Sequence, residues 1–186
     1  MKGLLPNHKD RSLPPAIAHS NWEIRLAEQE FIKWRSALNE HCLFFYGASK
    51  GNPGIAGGGG VLLGPDGSIV LRFAWGLGKE TNNRVEALAL WLGLNQAIQG
   101  NFLSISVFGD SRLIIQALNT HKNPGKLQLS TILRKIRLIL PKFLKITFFH
   151  IPRKLNSQAD KEANLGSLRS KRSLTVNHVE SICNIP

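Results

Sequence analysis

The chain has 186 residues, of which 42% are hydrophobic, and this length is enough for one globular domain with extensions. Its formal net charge of +12 favours a polyanionic partner. No apolar run is long enough to predict a membrane span, and two cysteines are too few for a disulfide framework. The N-terminus lacks the hydrophobic stretch of a signal peptide, so we expect an intracellular protein, in the nucleus or the cytoplasm.

Residues 1–40 are predicted to be an N-terminal extension. Residues 1–19 contain three prolines and scattered charge, which favours a flexible segment. From Ser20 or Asn21, apolar residues at helical spacing predict an amphipathic helix that reaches about Asn39. We expect this helix to pack on the domain, with binding to a partner as the alternative. Its apolar side would consist of Trp22, Leu26, Phe31, Trp34 and Leu38.

Residues 41–168 alternate between strands and helices. Three apolar runs joined by short connections predict an antiparallel meander, with Gly47–Gly54 as a tight connection between the first two strands. Glycine in this region permits positive φ and a close approach of backbones. The predicted strands cover about residues 42–48, 58–63 and 69–75.

The rest of this region predicts helices between parallel strands. Helical periodicity marks about residues 81–99, 110–120, 127–140 and 156–167, and apolar runs mark strands over 103–108 and 144–151. The order βββαβααβα implies parallel crossovers after the meander. We therefore predict an α/β fold with a five-stranded mixed sheet and helices on both faces. The tail, residues 169–186, is polar and is predicted to be loosely held.

Three carboxylates stand where such a fold could bring them together. Glu86 lies in the first long helix, Asp110 follows a strand and opens a helix, and Asp160 lies in the first turn of the last helix. Carboxylates that converge at one end of a sheet can hold divalent cations for phosphodiester hydrolysis. Each also has a structural interpretation, as a surface residue, a helix cap or a partner of the helix dipole.

The segment between Asp110 and Asp160 contains ten basic residues and no acidic one. This charge predicts binding to nucleic acid, with a soluble basic surface as the alternative. Arg134 and Arg137, three apart on one predicted helix face, are candidates for contact with the partner.

Four motifs occur in a characteristic order. They are Gly47-Ala48-Ser49 with Gly51-Asn52-Pro53-Gly54, then Thr81-Asn82-Asn83-Arg84-Val85-Glu86, Gly109-Asp110-Ser111, and Asn156-Ser157-Gln158-Ala159-Asp160. In order and spacing they resemble the type 1 ribonuclease H family, and especially the plant ribonuclease H-like domains related to retroelement reverse transcriptases. The resemblance covers roughly residues 42–168. It implies the ribonuclease H-like fold with the first strand central, and endonucleolytic cleavage of the RNA strand of RNA–DNA hybrids with two Mg²⁺ (or Mn²⁺) ions.

The resemblance also implies roles for single residues. Glu86, Asp110 and Asp160 match three of the family's four metal-binding carboxylates. A histidine on the loop before the last helix often assists product release in the family, and His150 is the candidate, with Arg153 as the competing loop residue. Positions expected to touch the hybrid are Asn52, Asn82, Asn83, Ser111 and Arg112.

The first strand departs from the family pattern at Tyr46. The family has an aspartate at this position, before Gly-Ala-Ser, and that carboxylate is expected to bridge both ions. A tyrosine phenol has a pKa near 10 and is neutral at pH 7. Asp66, in a turn at the far end of the hairpin, is no substitute. We therefore predict weakened metal binding and strongly weakened or absent hydrolysis.

Three functions stay open on these residues. One is an RNA–DNA hybrid ribonuclease with impaired cleavage, and another is a catalytically inactive module that binds hybrid or duplex. The third is a protein-interaction domain that uses the Trp22 helix, although the sequence indicates no particular protein partner.

Overall fold

A computed structural model describes residues 22–178 of the chain. The strands are β1 (His41–Gly51), β2 (Gly54–Leu63), β3 (Ile69–Glu80), β4 (Ser104–Gly109), β5 (Lys145–His150) and β6 (Leu174–His178). The helices are α1 (Glu28–Ala37), α2 (Asn82–Gln99), α3 (Arg112–Thr120), α4 (Leu127–Ile139) and α5 (Ser157–Ser167), with short 3-10 helices at Leu140–Lys142 and Arg153–Asn156. The predicted α/β class and element order are confirmed, with one strand more than predicted.

The sheet order is β5-β4-β1-β2-β3-β6, so β1 lies inside the sheet. β1 pairs antiparallel with β2 and parallel with β4, in a register that sets Phe44 opposite Phe108. Because parallel strands end at the same edge of a sheet, Tyr46 and the residue after β4, Asp110, emerge close together.

Each face of the sheet carries a hydrophobic core. Alternate β1 side chains point to opposite faces, so Leu43 and Phe45 join the core under α2, α3 and α4. Phe44 and Tyr46 join the core under α1 and α5. Within residues 22–178, no helix is long and apolar enough to cross a membrane.

The hairpin of β1 and β2 is longer than predicted. The segment Gly47–Gly54, expected as a connection, mostly continues the strands, and the turn is confined to Asn52 and Pro53. Gly47 lies against α2, where an added Cβ would stand 2.4 Å from the Glu86 backbone nitrogen. A glycine at this point therefore lets the helix that carries Glu86 approach β1.

The run Gly57–Gly60 serves close packing on both faces of β2. Added Cβ atoms at Gly57 and Gly59 would stand 2.1 and 2.3 Å from backbone nitrogens of α5. On the other face, a Cβ at Gly58 would meet Ala89 of α2 at 3.1 Å. The run thus permits the close helix approach expected of it, without positive φ.

The N-terminal segment differs from its prediction. α1 begins at Glu28, and the residues before it run extended beside β5, where Ile24 N donates to His150 O at 2.9 Å. Their backbone groups pair with the otherwise open edge of β5, which a helix could not do. Ser20, Asn21 and the flexible segment predicted over residues 1–19 lie outside the described residues.

α1 packs on the domain, as predicted. Phe31 makes edge-on ring contacts with Phe44 and Phe108, and Trp34 makes one with Phe149. The aromatic side of this helix is therefore used within the domain.

The tail was predicted to be loosely held, and this is wrong for residues 174–178. They form β6, which pairs antiparallel with β3 from Leu71 to Trp75. The pairing provides hydrogen-bond partners for the backbone groups on the free edge of β3. This interaction is long-range, so a short polar sequence does not predict it. Residues 179–186, the end of the predicted tail, lie outside the described residues.

Candidate nucleic-acid and metal site

Tyr46 occupies the centre of the candidate site. Its side chain lies toward α5 and is 7% exposed. Burial raises the pKa of the Tyr46 phenol to about 12, the nearby Arg153 opposes this rise, and the carboxylates Asp110, Asp160 and Glu86 add to it. The phenol is therefore neutral throughout the physiological pH range.

Three elements bring the predicted carboxylates around Tyr46. Glu86 comes from α2, Asp110 from the residue after β4, and Asp160 from the first turn of α5. Burial, followed by the charge of Asp110, raises the pKa of Glu86 well above its usual value, against a hydrogen bond from the Gly47 backbone. Burial also raises the pKa of Asp110, and a hydrogen bond from Asn156 opposes that rise. Burial and the neighbouring charges thus make ionisation of Glu86 and Asp110 less favourable than in water.

Arg153 places a permanent positive charge in the site. Its guanidinium carbon lies 5.1 Å from the centre of the Tyr46 ring, in the geometry of a cation–π contact. Its Nη2 also donates to Asp160 Oδ1 at 3.2 Å. The pKa of Arg153 is raised above its usual value, first by Tyr46 in its ionised form and also by the charge of Asp160. Arg153 therefore neutralises part of the negative charge that a metal ion would need.

Asn156 is a positioning residue for which the sequence motif predicted no role of its own. It is 1% exposed, and its Nδ2 donates to Phe45 O at 2.9 Å and to Asp110 Oδ1 at 2.8 Å. These bonds connect β1, the end of β4 and the start of α5. Its motif position before Asp160 was visible in the sequence, but its partners are distant in the chain.

His150 lies at the edge of the site. It ends β5, its backbone pairs with Trp22 and Ile24, and its Nε2 is 3.3 Å from the carbonyl oxygen of Asp110. The structure therefore places His150 on a strand, while Arg153 lies on the connection before α5. The role predicted for His150 in product release stays a prediction.

As arranged here, the side chains around Tyr46 do not fit a pair of divalent ions. One feature suits a cation: Glu86 Oε2 is buried and has no hydrogen-bond partner among the described residues. Two other features oppose cation binding, because the central group is a neutral phenol and Asp160 is paired with Arg153. Within residues 22–178, no three His, Cys, Asp or Glu side chains are grouped closely enough to hold a metal ion.

The predicted asparagines line one groove beside the site. Asn52, Asn82 and Asn83 surround a space of about 610 Å³ together with Lys126 and Gln128 at the start of α4. The Asn82 backbone N–H donates to Asn52 Oδ1 at 3.3 Å. Amides and a cation on one open groove are suited to a sugar–phosphate backbone.

The other predicted contact residues differ in availability. Ser111 is partly exposed at the start of α3, and Arg112 is exposed but paired with Glu23 at 2.9 Å. Arg134 is exposed on α4. Arg137 instead donates to the carbonyl oxygens of Ala117 at 2.9 Å and Lys122 at 3.0 Å, and to Asn123 Oδ1.

Arg134 and Arg137, both predicted to contact the partner, differ in how free their side chains are. Arg137 Nε is buried, and its remaining donors tie α4 to the end of α3 and the connection that follows. The guanidinium compensates carbonyl groups left free where α3 ends. Arg134 is therefore the better candidate for a phosphate contact.

Comparisons with known proteins agree on one family. A family model described as "Reverse transcriptase-like" matches residues 44–166. A protein named Ribonuclease HI from Halobacterium salinarum is 36% identical over 121 residues, which are 65% of this chain and 61% of that protein. The chain thus matches less than two thirds of that relative's length.

Solved structures give the same result. The crystal structure of RNase H1 from Halobacterium salinarum superimposes with a TM-score of 0.66 at 35% identity, over 68% of this chain and 96% of that one. LC11-RNase H1 in complex with RNA/DNA hybrid superimposes with a TM-score of 0.63 at 28% identity, over 68% and 95% of the two chains. The fold of the matched part of the chain thus recurs in these proteins.

Proposed function

Because the chain belongs to the ribonuclease H family, we propose that it binds RNA–DNA hybrids and that its cleavage of the RNA strand is strongly weakened. The observation that carries the second part is the contact between Tyr46 and Arg153 amid Glu86, Asp110 and Asp160. The family description "Reverse transcriptase-like" supports a retroelement-related origin.

Binding is supported by charge and by the groove. The net charge is +12, and the groove formed by Asn52, Asn82, Asn83 and Lys126 opens beside the site. LC11-RNase H1, which superimposes on this chain, was solved with a bound RNA/DNA hybrid. We therefore assign the hybrid, and less favourably a duplex, as the partner.

Weak cleavage is supported by the charges around Tyr46. The family resemblance implies Mg²⁺ or Mn²⁺ held by Glu86, Asp110 and Asp160. With a neutral phenol between them and Arg153 on Asp160, these carboxylates attract a divalent ion much less than four free ones would. An inactive module that only binds hybrid is the limiting case of this proposal.

The test compares variants at position 46 on one RNA–DNA hybrid. Tyr46→Asp should raise Mg²⁺-dependent cleavage by about 100-fold or more, because it supplies a small anionic ligand at the centre. Tyr46→Phe is the matched control, and it should cleave and bind like the natural chain because only a neutral hydroxyl is lost. Hybrid affinity, measured by fluorescence anisotropy in EDTA, should stay within about threefold for Tyr46→Phe.

Asp110→Asn serves as the inactive reference. If the natural chain already cleaves as fast as Tyr46→Asp while Asp110→Asn does not, the chain runs the reaction with three acids and the weak-cleavage proposal is wrong. If no variant binds hybrid better than single-stranded RNA, the binding proposal is wrong.

A further inference from the structure

A second cavity lies between α1 and the start of α5, and Tyr46 is not among the residues that line it. We call it the α1–α5 pocket. Its floor is formed by Phe44, Val61 and Leu63, and its walls include Phe31 and Leu155, with a volume of about 190 Å³. The floor residues are between 1% and 6% exposed. None of the three site carboxylates lines it, so it is distinct from the candidate hybrid site.

Arg35 brings a buried positive charge to this apolar pocket. The residue is 8% exposed, and its Nη1 is buried without a hydrogen-bond partner among the described residues. Its side chain also lies beside Gly67, where an added Cβ would be 2.9 Å from Nη2. Residues 22–178 contain no salt bridge to Arg35. A buried guanidinium without an anion is unfavourable, so the pocket is suited to a negatively charged group.

The neighbour of Arg35 inside the protein is no such group. Burial raises the pKa of the Cys42 thiol to about 11, although the charge of Arg35 acts against this rise. The thiol is therefore uncharged at neutral pH, so its hydrogen bond with Arg35 supplies no negative charge.

The start of α5 adds a second attraction for an anion. Ser157 and Gln158, in its first turn, line the pocket, and the side chain of the N-cap residue Asn156 makes no capping hydrogen bond. The dipole of α5 favours negative charge at this end, where the 3-10 helix Arg153–Asn156 leads directly into it. Lys154 also lines the pocket and adds a positive charge, and the one carboxylate in the lining is that of Glu28.

We propose that the α1–α5 pocket binds a small carboxylate with an apolar aromatic or aliphatic body. The carboxylate accepts hydrogen bonds from Arg35 and the first turn of α5, and the body lies against Phe44, Val61 and Leu63. The volume of about 190 Å³ is below the roughly 300–1,000 Å³ of pockets for drug-sized ligands, so the ligand is a small one.

The test uses three probes on the full chain, by isothermal titration calorimetry. They are 4-phenylbutyrate, its uncharged analogue 4-phenyl-1-butanol, and inorganic phosphate. Phenylbutyrate should bind saturably and at least about tenfold more tightly than the alcohol, because a hydrogen bond to a charged group is lost in the alcohol. Equal binding of the two, no binding, or tighter binding of phosphate would each overturn the proposal.

Variants of residues that line the pocket locate the binding. Ile32 is 48% exposed at the pocket wall, so Ile32→Trp should fill the pocket and lower phenylbutyrate affinity at least about tenfold. Ile55→Trp, at a 61% exposed position of β2 outside the pocket lining, is the matched control and should bind like the natural chain. Lys154→Gln should weaken binding severalfold, and Arg35→Gln should remove the preference for the carboxylate. Unchanged affinity in Ile32→Trp would place the ligand elsewhere and refute the assignment.

Discussion

Replacing Gly59 by alanine tests how α5 is held against the sheet. The new Cβ would stand 2.3 Å from the backbone nitrogen of Ala163 and 2.4 Å from the carbonyl carbon of Glu162. Ordinary contact begins at 3.4 Å, so the helix must move by about 1 Å. The contacted atoms belong to backbone, which cannot turn aside as a long side chain can.

The magnitude follows from the cost of overpacking. Forcing extra carbon into a packed core costs about 1–3 kcal/mol, and the backbone clash at Gly59 places this variant near 3 kcal/mol. For a chain of this size each kcal/mol lowers the melting temperature by about 2–4 °C. We therefore expect Gly59→Ala to melt about 6–12 °C below the natural chain in a circular-dichroism scan.

Two glycines provide graded controls. A Cβ at Gly58 would meet the Ala89 side chain at 3.1 Å, so Gly58→Ala should cost about 1 kcal/mol. Gly125 has no atom within 4 Å of its added Cβ, so Gly125→Ala should change stability by less than about 1 kcal/mol. If Gly59→Ala melts within about 2 °C of Gly125→Ala, the close packing of α5 against β2 described here is wrong.

Three further predictions concern charged residues. Glu86→Gln should stabilise the metal-free protein at pH 7–8, measured by urea unfolding in EDTA. The folded-state pKa of Glu86 is raised, so the native state of the natural chain loses stability as pH rises above the pKa of the unfolded state. The advantage of glutamine should therefore vanish near pH 4. A glutamine variant less stable than the natural chain at pH 8 would contradict this sign. Arg134→Ala should lower the slope of log affinity for hybrid against log salt by about 1, with little change in stability. Arg137→Ala should instead cost about 2 kcal/mol of stability through its lost hydrogen bonds. A smaller salt slope in Arg137→Ala and a loss of stability in Arg134→Ala would contradict these two assignments.

Local sequence patterns were sufficient for most of the fold. The helical period in α2 and the apolar runs of β1 and β4 reflect residues that meet neighbours on their own element or the next one. β6 and the extended residues before α1 could not be predicted in this way. Their pairing with β3 and β5 depends on which sheet edges are free, and only the assembled sheet shows that.

The same distinction applies to the candidate site. Glu86, Asp110 and Asp160 were predicted because motif order and strand topology place them at one edge of the sheet. The contacts of Arg153 with Tyr46 and of Asn156 with Phe45 join residues over 100 positions apart in the chain. Their side-chain directions depend on tertiary packing, which no local period encodes.

The pairing of Trp22–Ile24 with β5 has a consequence for how the domain should be produced. The family match begins at residue 44 and ends at residue 166, but backbone pairing extends from residue 22 to residue 178. A chain trimmed to the family match would expose the outer edges of β5 and β3. Open edges with unpaired N–H and C=O groups are templates for aggregation. Soluble protein is therefore expected from chains cut outside both outer pairings, because sheet edges, and not motif limits, define the unit that stays in solution.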